Sequence, residues 1–233
     1  MSNYVITDLH GRYDLWQKVI NKLQPEDTLY CLGDCADRGP DGWKIITEAI
    51  ENPQVVYLKG NHEDMLAKAI KEYDEDCPDS YNNALDLSLY NGGTPTWKAW
   101  KFYTKRDKRW ANQLNNLPYY DLVVNEQKQV IHLSHAGFNP RFDTPGWEMP
   151  LEKQLLWDRN HYKLTNPWHG RDNEYVIHGH TPMMHVRWEA SREDIKPEIY
   201  ADGHKINLDC ASWSTGACIL FNLDTFEWEL IIV

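Results

Sequence analysis

The chain has 233 residues, 42% of them hydrophobic and 25% charged, which suits one substantial core and excludes a disordered chain. Its net charge is −11, from 24 Lys and Arg against 35 Asp and Glu, and no window is basic enough for a nucleic-acid or lipid-surface patch. The longest apolar run is the five residues Ala217 to Phe221, far short of the roughly twenty that cross a membrane.

No nucleic-acid or membrane partner is therefore expected. The opening Met1-Ser2-Asn3-Tyr4 has neither a basic nor an apolar stretch. Five cysteines (Cys31, Cys35, Cys77, Cys210, Cys218) include no Cys-x-x-Cys pair and read as reduced thiols. Both features lead to the expectation of a cytoplasmic protein. Lys101 to Arg109 reads as a solvated helix face. Trp97, Trp100 and Trp110, with Phe102 and Tyr103, read as aromatics packing one helical layer on another.

In chain order, short apolar runs end in polar or ionisable residues. Tyr4-Val5-Ile6 leads to Asp8 and His10. Asp14 can cap a helix carrying Leu15, Val19 and Leu23. Thr28 to Leu32 leads to Gly33-Asp34, and Asp41 can cap a helix with Ile46 and Ile50. Val55 to Leu58 leads to Gly60-Asn61-His62, and Glu63 opens a helix carrying Leu66, Ala69, Ile70 and Tyr73. This β-α-β-α-β-α order predicts a parallel sheet with helical crossovers, whose ligands bind beyond the carboxyl ends of the strands.

Residues 64–129 read as a helical insertion with a turn at Asn91-Gly92-Gly93, forming a cap on one domain spanning 1–233. Val130 to Leu133 then leads to His135, and Tyr175-Val176-Ile177 to His178-Gly179-His180. Lys205 to Asp209, Ala217 to Asn222 and Phe226 to Val233 read as strands, the last two joined at Asp224-Thr225. These predict a second, antiparallel-rich sheet packed on the first. The fold class is α/β, two mixed sheets in a sandwich flanked by helices.

The polar strand endings Asp8, His10, Asp34, Asn61, His135 and His180 offer imidazole nitrogen and hard oxygen, which suit Mn, Fe or Zn rather than Ca. Six ligands are too many for one catalytic ion with open positions. They suit two divalent ions sharing a carboxylate. A lone Asp-x-His or Gly-His-Thr-Pro carries little weight, but five such elements in order, each after a strand, are hard to obtain by accident. His132, His161, His169, His178, His185 and His204 read as structural or surface residues.

Asp8-Leu9-His10-Gly11, Gly33-Asp34-Cys35-Ala36-Asp37-Arg38-Gly39 and Gly60-Asn61-His62-Glu63 resemble the signature motifs of the phosphoprotein phosphatase family, within the calcineurin-like metallophosphoesterases. Ser134-His135-Ala136-Gly137 and Gly179-His180-Thr181-Pro182 look like its remaining metal histidines. Asn91-Gly92-Gly93, Leu117-Pro118 and Trp157-Asp158-Arg159 follow the order of the short bacterial and phage serine/threonine protein phosphatases.

The resemblance implies that Asp8 and His10 hold one ion, that Asn61, His135 and His180 hold the other, and that Asp34 bridges them. It implies His62 as general acid, Asp37 as the residue orienting it, and Arg38 and Arg159 as clamps on the phosphoryl oxygens. The fork of a guanidinium is well shaped for that task. Two departures stand out: Thr7 where the family usually has Gly, and Cys35 inside the second motif, read as a packed apolar thiol.

The implied activity is hydrolysis of phosphoserine or phosphothreonine in proteins, through metal-bound hydroxide. The rival is hydrolysis of dinucleoside polyphosphates such as diadenosine tetraphosphate. Arg38-Gly39-Pro40 occurs in both groups, while Asp37 and Glu63 lean toward the protein phosphatases. The partner is a phosphorylated protein or a small phosphoester. A nucleic-acid phosphodiesterase is disfavoured by the acidic charge. A degenerate binding module is disfavoured because every ligand position is filled.

Overall fold

A computed structural model describes residues 1–74, 76, 82–138, 150–159, 168, 170–183 and 192–233. The first sheet begins with β1 (Asn3–Ile6), β2 (Thr28–Cys31) and β3 (Val55–Tyr57), all parallel and joined by α1 (Tyr13–Ile20) and α2 (Gly42–Glu51). The apolar runs arise because both faces of these strands are covered. Val5 points into the interface between the two sheets, while Ile6 points toward the helices.

Helix boundaries differ from the predicted ones by a residue or two. Asp14 lies inside α1 and pairs with Arg12, which precedes the helix. Asp41 caps α2 through its backbone carbonyl, with no side-chain bond. The third helix, α3 (Asn61–Glu72), starts two residues before Glu63, whose carboxylate turns back to the Gly60 N–H. Leu66, Ala69, Ile70 and Tyr73 are all buried, as the spacing predicts.

Then follow α4 (Asn83–Tyr90), α5 (Thr94–Tyr103) and α6 (Arg109–Asn115). Trp97, Trp100, Ala111 and Leu114 join the core beneath the first sheet's helices, so this region shares one core with the sheet. Trp43 packs edge-on against Trp110, whereas Phe102 and Tyr103 are exposed. Lys105 and Arg106 lie in left-handed backbone between α5 and α6, so the basic segment is a turn rather than a helix face. Within 64–129 the helices also give way to a strand, β4 (Tyr120–Val124). It pairs antiparallel with β5 (Val130–Ser134), because Val123 supplies an inward apolar position beside Ile131.

The second sheet has the order β4-β5-β6-β8-β7, with β6 (Glu174–His178), β7 (Glu198–Tyr200) and β8 (Lys205–Asn207). The pairs β5–β6 and β6–β8 are parallel, and β7–β8 is antiparallel. Helix α7 (Leu151–Trp157) supplies Leu155 to a small cluster with Phe138 and Val176.

The last strands correct the sequence reading. The hairpin of β9 (Ala217–Asn222) and β10 (Trp228–Ile232) does not enter the second sheet. It adds antiparallel to β1, giving the order β10-β9-β1-β2-β3. The cause is visible in β9: Ala217, Ile219 and Phe221 face the other sheet while Cys218 and Leu220 face the helices. A strand apolar on both faces needs cover on both, which the place beside β1 provides. Before β9 lies the short helix α8 (Ser212–Thr215). Among the described residues no helix is long and apolar enough to cross a membrane.

Candidate active site

The carboxyl ends of β1, β2, β3, β5 and β6 bring the six proposed ligands together, all buried. The loops after β1 and β2 continue the strand ladder, with His10 N donating to Asp34 O at 2.9 Å and Gly11 N to Cys35 O at 2.9 Å. Such close approach forces the backbone into rare conformations. Asp8, His10, Asp34, Asp37, Arg38 and His180 all have positive φ, between 45° and 68°. Left-handed backbone is costly for residues with a Cβ and concentrates at functional sites. At Gly33 (φ +91°) a Cβ would lie 2.3 Å from the Gly60 nitrogen, so only glycine lets these two loops meet.

Asp34 stands at the centre. Its Oδ2 lies 3.6 Å from His10 Nε2, 3.7 Å from His62 Nε2 and 3.4 Å from His135 Nε2. Asp8 Oδ1 is 3.9 Å from His10 Nε2, and Asp8 Oδ2 accepts the His180 N–H at 2.9 Å. Asn61 Oδ1 lies 2.9 Å from both His135 Nε2 and His180 Nδ1. Two triads have ligand atoms within 4.8 Å of one another, His10-Asp34-His62 and Asp34-His135-His180, and Asp34 belongs to both.

These donors fit divalent cations. The Nδ1–H of His10 donates to Ala36 O at 2.8 Å and that of His135 to Leu32 O at 2.9 Å. In the neutral rings each Nε2 is therefore a lone pair, and both lone pairs face the Asp34 carboxylate. Outer bonds of this kind fix the tautomer of metal-binding imidazoles. Burial, together with nearby His62, pushes the His10 pKa well below its usual range, which keeps that ring neutral. Burial opposes the charge on Asp34, but the neighbouring His62, through its charge and its backbone N–H, helps to outweigh it and hold the carboxyl below the usual range. Lone pairs converging in this way suit a cation between them.

His62 differs from the other rings. Its Nδ1–H donates to the buried Asp37 carboxylate at 2.8 Å. Burial would lower its pKa, but Asp34 and the bond to Asp37 prevail and raise it to about 8. Asp37 is fixed in turn by Thr96, whose Oγ1 accepts its N–H at 2.8 Å. Arg38 is exposed at the rim, its N–H held by Gly92 O at 2.9 Å. Arg159 donates from a guanidinium N–H to Thr181 Oγ1 at 3.1 Å, beside His180, while Asp158 next to it is buried.

Several participants lie outside the ligand list. Glu63 Oε2 accepts the N–H groups of Asp34 (2.8 Å) and Gly60 (2.9 Å), and Oε1 that of Ala36 (3.0 Å). It clasps the second and third motif loops together. Thr7 Oγ1 donates to Asp8 Oδ2 at 2.5 Å, so the departure from Gly adds a bond to a proposed ligand. Pro118 O accepts the Lys59 N–H at 2.8 Å, anchoring the approach to Gly60. Asp209 is buried, and burial followed by the charge of Asp8 raises its pKa well above the usual range. Its sequence signal is weaker than that of the others, because the strand before it, Ile206-Asn207-Leu208, is interrupted by a polar residue.

Cys35 lies with its Sγ 3.3 Å from that of Cys31, both thiols buried. Burial pushes the Cys35 thiol far up, which makes it a packed group rather than a nucleophile. Of the histidines set aside, His132 bonds the Tyr120 hydroxyl, His178 that of Tyr200, and His204 stacks on Trp168. His161, His169 and His185 lie outside the described residues.

Fold and site define a metal-binding phosphoesterase, with two mixed sheets flanked by helices and candidate metal-binding residues at their joint edge. The chain belongs to the calcineurin-like phosphoesterase family, whose pattern matches residues 1–206, and is an enzyme that hydrolyses phosphoric esters. It is 35% identical over 213 residues to serine/threonine-protein phosphatase 2 of Escherichia coli (strain K12), covering 85% of each chain. It is 24% identical over 147 residues to the symmetrical bis(5'-nucleosyl)-tetraphosphatase of Buchnera aphidicola subsp. Schizaphis graminum (strain Sg), covering 61% of this chain and 47% of that one. A solved protein serine/threonine phosphatase from Saccharomyces cerevisiae shares the fold, with TM-score 0.58 and 14% identity, covering 100% of this chain and 80% of that one.

Proposed function

We propose that the protein is a serine/threonine protein phosphatase with a binuclear metal centre, acting in the cytoplasm as one domain over 1–233. The observation that supports the centre is the Asp34 carboxylate, whose Oδ2 lies 3.6 Å from His10 Nε2 and 3.4 Å from His135 Nε2, rings assigned to different ions. Asp8, His10 and Asp34 would hold one ion, and Asp34, Asn61, His135 and His180 the other. Manganese is the first candidate, with iron or zinc compatible with the same nitrogen and oxygen donors. When bound, the pair supplies Lewis acidity and activates water at neutral pH.

The chain's own residues do the rest. Arg38 and Arg159 bind the phosphoryl oxygens, and the guanidinium fork orients the ester for in-line displacement. His62 donates a proton from Nε2 to the leaving oxygen, with Asp37 holding the ring through Nδ1. A pKa near 8 keeps that proton in place at neutral pH, so His62 serves as an acid rather than a ligand. Bound cations would compete for the charge of Asp34 and draw this value down toward neutrality, where a general acid is most effective.

The near end-to-end match to a serine/threonine phosphatase, against the partial match to a dinucleoside tetraphosphatase, supports phosphoprotein as substrate. The test is kcat/KM of manganese-loaded protein on phosphoserine and phosphothreonine peptides beside diadenosine tetraphosphate. Preference for the peptides is expected. A tenfold or greater preference for the dinucleotide would overturn the assignment.

A further inference from the structure

Arg38 leaves the compact backbone of the second motif in left-handed conformation (φ +63°), and its side chain is exposed. A long exposed arginine samples many rotamers, and that freedom must be lost before two of its N–H groups can meet a phosphoryl group together. The structure restricts it at two points. At its base lies Gly92 (φ +93°), whose carbonyl accepts the Arg38 N–H and where a Cβ would come within 3.1 Å of Arg38 Cγ. At its tip lies the Trp213 indole, with the guanidinium carbon 5.5 Å from its centroid.

Trp213 is itself delivered on a rigid turn. Ala211 has left-handed backbone (φ +52°), and its N–H is held by Asp209 Oδ1 at 2.8 Å. A guanidinium N–H of Arg12 donates to Ser212 O at 3.1 Å, and Thr215 Oγ1 donates to Cys210 O at 3.0 Å. Meanwhile the indole stays 48% exposed, so core packing does not account for its placement.

We infer that Trp213 is a positioning residue for the phosphate clamp, holding the tip of Arg38 while Gly92 holds its base, so that the guanidinium meets the phosphoryl group in one orientation. The inference rests on the reading of Arg38 as a phosphate ligand. Stacking leaves the guanidinium N–H groups free in the ring plane, so the same group can be held by the indole and still bind two oxygens.

The test uses manganese-loaded protein, p-nitrophenyl phosphate as substrate and inorganic phosphate as competitive inhibitor. Trp213→Ala should raise KM and the phosphate inhibition constant together by about two- to fivefold, the scale of one exposed cation–π contact, with kcat within twofold. Trp213→Phe should recover most of the loss, and Trp213→Leu, apolar but without a ring face, should not. In an Arg38→Ala background, Trp213→Ala should have no further effect. A further loss in that background would mean that the indole touches substrate directly and would overturn the inference. Wild-type constants for Trp213→Ala, with Arg38→Ala impaired, would overturn it while leaving the clamp intact. If Arg38→Ala binds phosphate normally, the clamp reading falls and the inference falls with it.

Discussion

Glu63 gives the sharpest test of how the site is held. Its carboxylate takes three backbone N–H groups from two loops that carry Asp34, Asn61 and His62, and it is fully buried. In Glu63→Gln one oxygen remains, enough to keep the Asp34 and Gly60 bonds at the Oε2 position. The new NH2 then faces the Ala36 N–H, donor against donor. One charge-assisted bond is lost and one buried N–H is orphaned, about 3 kcal/mol in all. A neutral amide is easier to bury than a carboxylate whose pKa burial already raises, which offsets about 1 kcal/mol. The expected net loss is about 2 kcal/mol, or a Tm lower by roughly 4–8 °C for a domain of this size. Urea unfolding should show a lower midpoint at unchanged m-value. A loss under about 0.5 kcal/mol would show that the clasp is redundant and refute the reasoning. Glu63→Ala orphans all three N–H groups at once and approaches the whole stability of an ordinary domain, so it is the less informative variant.

Asp34→Asn should lower the content of both ions in protein purified without chelator, measured by elemental analysis; two tightly held ions in that variant would exclude the bridge. His62→Asn should keep its metals and lose roughly 10²–10⁴-fold in kcat on alkyl phosphates, with a smaller loss on aryl phosphates, whose leaving group needs little protonation. Arg159→Ala should cost ten- to a hundredfold in kcat/KM, about 1.5–3 kcal/mol, with weaker phosphate inhibition and unchanged metal content. Lys205 is fully buried with no hydrogen-bond partner for its Nζ among the described residues, and burial lowers its pKa to about 8 despite the pull of Asp158. Between that value and the unfolded value near 10.5 the unfolded chain binds more protons, so this residue makes stability rise with pH across the window. Lys205→Met should accordingly be the more stable protein at pH 7, by up to about 3 kcal/mol, with the advantage shrinking by pH 9.5; a difference that does not change with pH would refute this.

The strand endings were legible because a parallel strand buried on both faces must be apolar until it emerges, and the first polar residue after it marks the emergence. All six proposed ligands lie just beyond such points, and the structure brings them together. Sheet membership of the C-terminal hairpin was not legible, because an antiparallel pair can add to either sheet. Only the two-sided apolar pattern of β9 carried the answer, and it becomes meaningful once the second sheet is known to cover one face. Tyr120 to Val124 escaped notice as a strand because an edge strand with one buried position has too weak an alternation. The clasp by Glu63 was hidden for another reason. Its three partners are backbone amides, which every residue has, and no sequence pattern marks an amide that a loop leaves unpaired.

The site straddles the seam of the sandwich: Asp8, Asp34 and Asn61 come from the first sheet, and His135 and His180 from the second. The His180 N–H meets Asp8 across 172 residues of chain. An ion held by both halves would act as a removable cross-link. It would close one of the longest loops the chain can make and would be absent from the unfolded state, where no such site exists. Metal supply would then set the lifetime of the protein as well as its rate of turnover, since ligand that binds only the folded form stabilises by RT ln(1 + [L]/Kd). In a metal-starved cell the two sheets would part more often at this seam, and proteolysis would remove the idle enzyme.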